Sequence, residues 1–415
     1  MDVFEERCAG VDLGKIECKV CIRVPGKGKR SRREVRTFST MCDGLLELRD
    51  WLLENEITRV GMEATTSYWK PLYYLLDATE GIEPWLLNAQ HIKTVPGRKT
   101  DVRDCEWICR LIEHGLVRPS FVPPRDIRQL RDLTRYRTET VRDRARDVYR
   151  LAMFLEDAGI KLSAVVSDNT GRSARSMLDA LVAGERDPQV LAGMALGRML
   201  EKVPLLNRAL TNSFTDHHAF MVAAMLRAID QADARIAQLS QEIARQLQPL
   251  QRQAELLTTI PGVSLVLAQV IIAEIGVDMS RFATAGHLAS WAGMCPGNNE
   301  SAGKRMSGRT RHGDTWLKTA LYMAGSSAAR MKTTYLGAQF RRLVPHRGVK
   351  RATVAVGHSI LVAAWHILHD DVPYRDLGAD HFTSRLGRER QTRRLLAQLA
   401  ALGHDVTIAP RQDTA

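Results

Sequence analysis

Four acidic residues in the first quarter of the chain stand where carboxylates can do chemistry. Asp12 follows Gly10-Val11, and Glu63 follows Gly61-Met62, each at the end of a β-rich run. If those runs are parallel neighbours in one sheet, their C-terminal ends adjoin and both carboxylates face one crevice. Asp101 and Asp104, in Lys99-Thr-Asp-Val-Arg-Asp104, are three apart on the opening turns of a helix and share a face. Each acid alone has an ordinary reading, as a helix-dipole partner or a strand-end turn residue. Four converging carboxylates would repel one another, and hard divalent cations offset that repulsion: Mg²⁺, with Mn²⁺ as a substitute.

A second chemistry is suggested by Trp291-Ala-Gly-Met-Cys-Pro-Gly-Asn-Asn-Glu-Ser-Ala-Gly-Lys-Arg305. Gly297, Asn298, Asn299 and Gly303 mark a loop that presents Ser301 beside Lys304 and Arg305. A serine attacking a phosphodiester needs access, and cations to stabilise the charge developing on the phosphoryl oxygens. Ser301-Ala-Gly-Lys304 also has the Ser-x-x-Lys spacing of penicillin-binding acyl enzymes. Those open a helix, which the glycines here oppose. A loop serine bonded to its own backbone is the plain alternative.

Charge favours the phosphodiester. The chain carries 59 Lys+Arg against 47 Asp+Glu, a formal +12, with a pI near 9.5. From Asn298 to Arg351 there are twelve basic residues and two acids, a net of +10, including Lys304, Arg305, Arg309, Arg311 and Lys318. Phosphate-backbone binding gains affinity from each released counterion, whereas a small-molecule hydrolase has no use for such a field. Two further contacts with nucleic acid are read from the pattern. Pro25 to Arg33 reads as an exposed basic hairpin tip holding Lys27, Lys29 and Arg30, either a solvated loop or a nucleic-acid contact. Leu257 to Ser264 has the look of a helix-hairpin-helix, in which Pro261-Gly262 offers backbone N–H groups to a phosphate or is simply a turn.

The elements that must position these residues follow from periodicity. At 415 residues the chain has room for two or three domains, and 45% apolar with 26% charged residues excludes wholesale disorder. Strands are expected at Cys8–Asp12, Lys19–Val24, Glu34–Ser39, Arg59–Glu63 and Glu83–Leu87. Helices are expected at Leu45–Leu53, Trp69–Leu76 and from Thr100 to His114, which makes a mixed sheet covered by helices over residues 1–124. Pro119, Pro123 and Pro124 close that domain. Ile127, Thr134, Val141, Val148 and Leu155 recur every seven residues, and so do Ile229, Ile236, Ile243 and Leu250. They predict two long helices with seams, pairing within the chain or between chains, with a short-helix connector over residues 168–215. Residues 125–255 form this coiled-coil and connector region, 256–345 a helical domain with the serine, and 346–415 a helical end segment and tail.

Seven scattered cysteines are not the arithmetic of a secreted disulfide scaffold, so a reducing cytoplasm is expected. Cys18 and Cys21 have zinc or redox spacing but lie in a strand, where residues three apart face opposite ways. The acidic N-terminus has no apolar signal core. The uncharged run from Ala352 to His369 contains His358 and His366 and reads as a buried helix, so no membrane partner is expected.

In combination, Gly-Val-Asp12, Gly-Met-Glu63, Lys-Thr-Asp101-x-x-Asp104, Ile-Pro-Gly-Val263 and Pro-Gly-Asn-Asn-Glu-Ser301-Ala-Gly-Lys resemble the insertion-sequence family 110 transposases, over nearly the whole chain. These are DEDD enzymes related to the pilin-inversion recombinases and described as bridge-RNA-guided. The resemblance implies an RNase H-like (RuvC-like) N-terminal domain, a coiled-coil connector and a mainly helical transposase domain. It implies Asp12, Glu63, Asp101 and Asp104 as metal ligands and Ser301 as the nucleophile that forms a transient phosphoserine link to DNA. Implied partners are donor and target DNA, an element-encoded bridge RNA that selects both, and further copies of the chain in a dimer or tetramer, in the nucleoid-associated cytoplasm of a bacterium. Cys105 stands where alanine is expected after the last Asp. Two alternatives remain at this point: a RuvC-like structure-specific nuclease using water, and a non-catalytic RNA-binding scaffold.

Overall fold

Alternating apolar residues in the first 90 positions pair into a five-stranded sheet with helices on both faces. The structure, a computed structural model, describes residues 4–26, 31–64, 67–89, 92, 104–211, 213–296, 299–301, 304–307, 310, 313–384 and 388–407. Its chain divides into two compact units, Met1–Val122 and Pro123–Ala415.

In the first unit the elements run β1 (Cys8–Leu13), β2 (Glu17–Pro25), β3 (Ser31–Ser39), α1 (Cys42–Glu54), β4 (Arg59–Glu63), α2 (Trp69–Asp77), β5 (Glu83–Leu87) and α3 (Asp104–Glu113). The strand order is β3-β2-β1-β4-β5. β1, β2 and β3 form an antiparallel meander, while β1, β4 and β5 run parallel. This is the mixed sheet expected from sequence, with β4 and β5 at the expected limits. Because strand side chains alternate, each face has its own core. Val11, Cys18, Val20, Ile22 and Met62 pack with Leu48, Trp51 and Leu52 of α1 and with Leu72 and Leu76 of α2. Cys8, Cys21 and Leu87 pack with Cys105, Ile108, Cys109 and Ile112 of α3 on the other side. Cys18 and Cys21 thus face opposite ways.

The second unit opens with α4 (Arg125–Asp157), 33 residues long, which pairs with α9 (Asp216–Leu247). Arg144 bonds Asp233 across the pair, and Leu151 and Leu155 meet Val222 and Leu226. Since numbers rise along one helix as they fall along the other, the two are antiparallel within one chain. The seven-residue seam holds only in part. Ile127, Thr134 and Leu155 are buried, but Val141 is 47% exposed and Arg137 and Thr140 are buried instead. A straight helix drifts by about 20° per heptad, and the first turns of α4 also face a different partner, described below.

Between the long helices lie α5 (Leu162–Val165), α6 (Arg172–Val182), α7 (Pro188–Gly193) and α8 (Val203–Ala209). They are more than a connector: Leu162, Met177, Leu178, Leu181, Leu191 and Leu206 are fully buried around the distal ends of α4 and α9. The chain continues through α10 (Gln251–Thr258), α11 (Leu265–Ile275), α12 (Ala285–Trp291), a hairpin of β6 (Asn299–Ser301) and β7 (Lys304–Ser307), then α13 (Thr315–Ala328), α14 (Tyr335–Arg347), α15 (Val349–Asp370), α16 (His381–Ser384) and α17 (Arg388–Ala401). By length and composition α15 could cross a membrane. It instead buries a stripe of Ala352, Val356, Ile360, Leu361 and Ala364 among α12, α13 and α14, and Trp365 Nε1 donates to Phe282 O at 3.0 Å.

Candidate active site

Asp12 and Glu63 are placed by strand register. β1 and β4 pair in parallel up to Val11↔Met62, so the two acids are the next residues on adjacent strand ends. Val11 and Met62 point into the α1/α2 core, hence Asp12 and Glu63 point to the opposite face, the one covered by α3. Both are half-buried. Two residues before each acid on the same face is a glycine, and α3 lies directly on both. A Cβ on Gly10 would sit 2.2 Å from Cys105 O and 2.4 Å from Cys109 N, and one on Gly61 would sit 2.3 Å from Ile112 Cδ1.

These contacts also orient α3. Cys8 Sγ lies 3.8 Å from Cys109 Sγ, whereas Gly10, one step further along the same face, touches Cys105. The helix therefore runs against β1, with its first residue, Asp104, toward the end that carries Asp12. At the far end of α3, Arg23 pairs with Glu113, and on its flank Arg33 Nη1 donates to Glu106 Oε2 at 2.9 Å. Asp12 and Glu63 thus sit at adjoining strand ends on one face of the sheet, and the helix that begins at Asp104 has its N-terminal end directed toward them. Asp101 lies outside the described residues. Among the described residues no group of three or more His, Cys, Asp or Glu is assembled closely enough to hold an ion. The donors are hard carboxylate oxygens, the set that suits Mg²⁺ or Mn²⁺. Two nearby thiols do not compete: Cys105 is pushed up to about 11 by burial first and by neighbouring charges including Asp12, and Cys18 to about 11, again by burial first. Both stay protonated at neutral pH.

The serine segment differs from the expected loop. Ser301 is the last residue of β6, paired with Lys304 of β7, and Glu300 pairs with Arg305. An isolated bridge between Pro296 and Thr310 closes the base. Just beyond it, a Cβ on Gly313 would meet Ala292 O at 2.3 Å and Gly293 N at 2.7 Å, so the returning leg lies against the end of α12, from which the outgoing leg departs.

Of the basic residues singled out, Lys304 and Arg305 lie on β7, next to the serine along the hairpin. Lys318 is half-buried on α13, and burial lowers its pKa. Arg309, Arg311, Lys27, Lys29 and Arg30 lie outside the described residues. Pro261-Gly262 forms a turn between α10 and α11, with Gly262 at φ +91°. A Cβ there would stand 2.4 Å from Ala324 O and 2.6 Å from Ala328 N, so the glycine has a packing reason against α13 independent of any phosphate. What sequence reading missed in the first unit is the packing role of the two glycines, which leave room for α3. Gly10-Val-Asp12 and Gly61-Met-Glu63 share one Gly-x-acid pattern at two strand ends, and that repetition was the available signal.

Comparison with known proteins follows the same layout. A DEDD-type IS110 transposase model matches residues 9–160, which hold all four acids, and a model described as "Transposase IS116/IS110/IS902 family" matches residues 254–341, which hold Ser301. The chain is 24% identical over 302 residues to the transposase for insertion sequence element IS1111A of Coxiella burnetii, covering 71% of this chain and 74% of that one. It is 27% identical over 300 residues to an uncharacterised 42 kDa protein of insertion element IS900 from Mycobacterium paratuberculosis, covering 66% and 73%.

Proposed function

Because the chain belongs to the IS110 family of insertion-sequence transposases, we propose that it cuts and rejoins DNA through Ser301, assisted by divalent cations at Asp12, Glu63, Asp101 and Asp104 of an RNase H-like unit. The observation that carries this reading is the pair of half-buried acids at the adjoining C-terminal ends of β1 and β4, with the first residue of α3 directed to the same end.

In this reading the Ser301 hydroxyl loses its proton as Oγ bonds to phosphorus, and the bond from phosphorus to a deoxyribose oxygen breaks. That oxygen departs and takes up a proton. The phosphodiester is exchanged for a phosphoserine diester of similar energy, so a second DNA hydroxyl can reverse the step without an energy source and complete rejoining. Bound Mg²⁺ or Mn²⁺ would stabilise charge on the phosphoryl oxygens. Asp12 and Glu63 would be held in place by the sheet, and Asp104 by α3 packed across Gly10 and Gly61. Lys304 and Arg305, on the strand after the serine, would add positive charge beside the same phosphate. Site choice is assigned to an element-encoded bridge RNA that pairs with donor and target DNA. Its support is the abundance of phosphate-binding charge, which suits a nucleic-acid backbone. The working form is a homodimer or homotetramer in the bacterial cytoplasm, at the nucleoid.

The test is the fate of the cut strand. With element-end DNA and the RNA that copurifies with the protein, cleaved product should enter the phenol layer with protein and return to the aqueous layer after protease. Product that is freely extractable from the start marks water as the nucleophile and excludes the serine reading. Replacing Asp12 with asparagine, nearly the same shape without the charge, is expected to slow cleavage by roughly 10²–10³-fold, the scale of losing one electrostatic stabiliser. Adduct yield titrated against Mg²⁺ checks this: a variant with the wild-type rate and metal dependence removes Asp12 from the site.

A further inference from the structure

α11 is apolar from Leu265 to Ile275 except for Gln269 and Glu274, and both are buried, Glu274 completely. Both answer to arginines on the first turns of α4. Arg137 Nη1 donates to Gln269 Oε1 at 2.8 Å. Arg135 makes a fork with Glu274, Nε to Oε1 and Nη2 to Oε2, each at 2.8 Å. Arg131 Nε lies 3.0 Å from Glu274 Oε2, and its Nη2 donates to Glu274 O at 2.5 Å. Here lies the second partner that draws α4 away from its heptad seam.

The network has one more member. Arg135 Nη2 also donates to Asp314 Oδ2 at 3.1 Å, while Asp314 Oδ1 accepts from Leu317 N at 2.8 Å and so caps α13. The Trp316 ring in the first turn of α13 lies under Arg135 and Arg142, with guanidinium carbons 5.6 and 5.2 Å from its centre. Asp314 directly follows Gly313, where the returning leg of the serine hairpin lies against Ala292 and Gly293.

A buried ion pair does not explain itself by stability. Desolvating two charges offsets most of their attraction, and a well-packed apolar pair of the same volume is often as stable. A leucine at 274 would suit the rest of α11. What the forked, three-way arrangement supplies is register, because only one placement of α4, α11 and the start of α13 satisfies all of it. We propose that Arg135, Glu274 and Asp314 form a latch that fixes the base of the β6–β7 hairpin, making them positioning residues for Ser301. The proposal rests on the reading of Ser301 as nucleophile.

Asp314→Asn separates the latch from ordinary helix capping, since asparagine caps as well as aspartate but gives Arg135 no charge. In the full-length protein three quantities are read: single-turnover adduct formation, DNA affinity, and amide hydrogen exchange over residues 299–307. Adduct formation should fall by roughly 10–10²-fold, the cost of a misplacement of about 1 Å. DNA affinity should stay within about twofold. Exchange across the hairpin should quicken while α13 stays protected. Arg135→Lys, which keeps the charge without the fork, should fall between wild type and Asp314→Asn. Unchanged hairpin exchange in Asp314→Asn overturns the latch, and so does a loss of adduct matched by equal losses of DNA affinity and melting temperature. Persistence of the adduct in Ser301→Ala instead overturns the serine reading, a separate result that hairpin exchange does not affect.

Discussion

Under the proposed reaction, Ser301→Ala should leave no covalent protein–DNA product, a loss on the order of 10³-fold or more, because it removes the oxygen that would form the bond, which the remaining machinery cannot replace. The fold should hardly register the change. Ser301 ends a short hairpin strand, and replacing a hydroxyl by hydrogen there alters strand preference by at most about 1 kcal/mol. DNA affinity should also survive, since phosphate binding depends on the basic residues and not on the nucleophile. The measurement is a gel assay with DNA nicked opposite the cleavage position, so that the cut strand cannot be rejoined. An adduct that persists in the alanine variant sends the search to another side chain.

Gly10→Ala is expected to be the most destabilising single change near the carboxylates, by about 3 kcal/mol or more. Alanine in a strand is ordinarily favoured over glycine by roughly 0.5–1 kcal/mol, so the sign here is set by packing. The new Cβ would sit 2.2 Å from Cys105 O and 2.4 Å from Cys109 N, both helix backbone, which cannot rotate out of the way. α3 must lift as a body, loosening the burial of Ile108, Cys109 and Ile112 and carrying Asp104 away from Asp12. Gly61→Ala is the internal control. Its Cβ meets side-chain ends, Ile112 Cδ1 at 2.3 Å and Leu87 Cδ1 at 3.1 Å, which can shift for about 1 kcal/mol. Urea unfolding followed by tryptophan fluorescence, which Trp51 and Trp85 of the first unit report, should show Gly10→Ala unfolding well before Gly61→Ala. Equal midpoints would mean that α3 does not seat on β1 as described.

The first unit was largely legible in the sequence because its strands are short, β-rich and separated by turn residues. Arg59–Glu63 and Glu83–Leu87 were read at their exact limits, and the parallel placement of Asp12 beside Glu63 needed only an assumption about neighbours, which the register bears out. Reading failed where a local signal pointed one way and a tertiary contact another. Gly297, Asn298, Asn299 and Gly303 read as a loop around Ser301, whereas pairing between Asn299–Ser301 and Lys304–Ser307 puts Asn299 and Ser301 in a hairpin of only seven strand residues, below what alternation can reveal. Val141 fitted a heptad and is exposed, because that pattern assumes one partner along the whole of α4. Arg135 and Glu274 belong to no sequence motif; the signal for Glu274 is a lone carboxylate in an eleven-residue helix whose other polar residue is Gln269.

The length of α4 separates two energetic neighbourhoods. At 1.5 Å per residue, Arg131 and Leu155 stand about 36 Å apart along the helix axis. The core around Met177, Leu178 and Leu206 gathers at one end, and the ionic contacts with Glu274 at the other. Groups so far apart and without shared neighbours contribute independently to folding free energy. A core substitution among the distal short helices should therefore lower stability without weakening the proximal contacts.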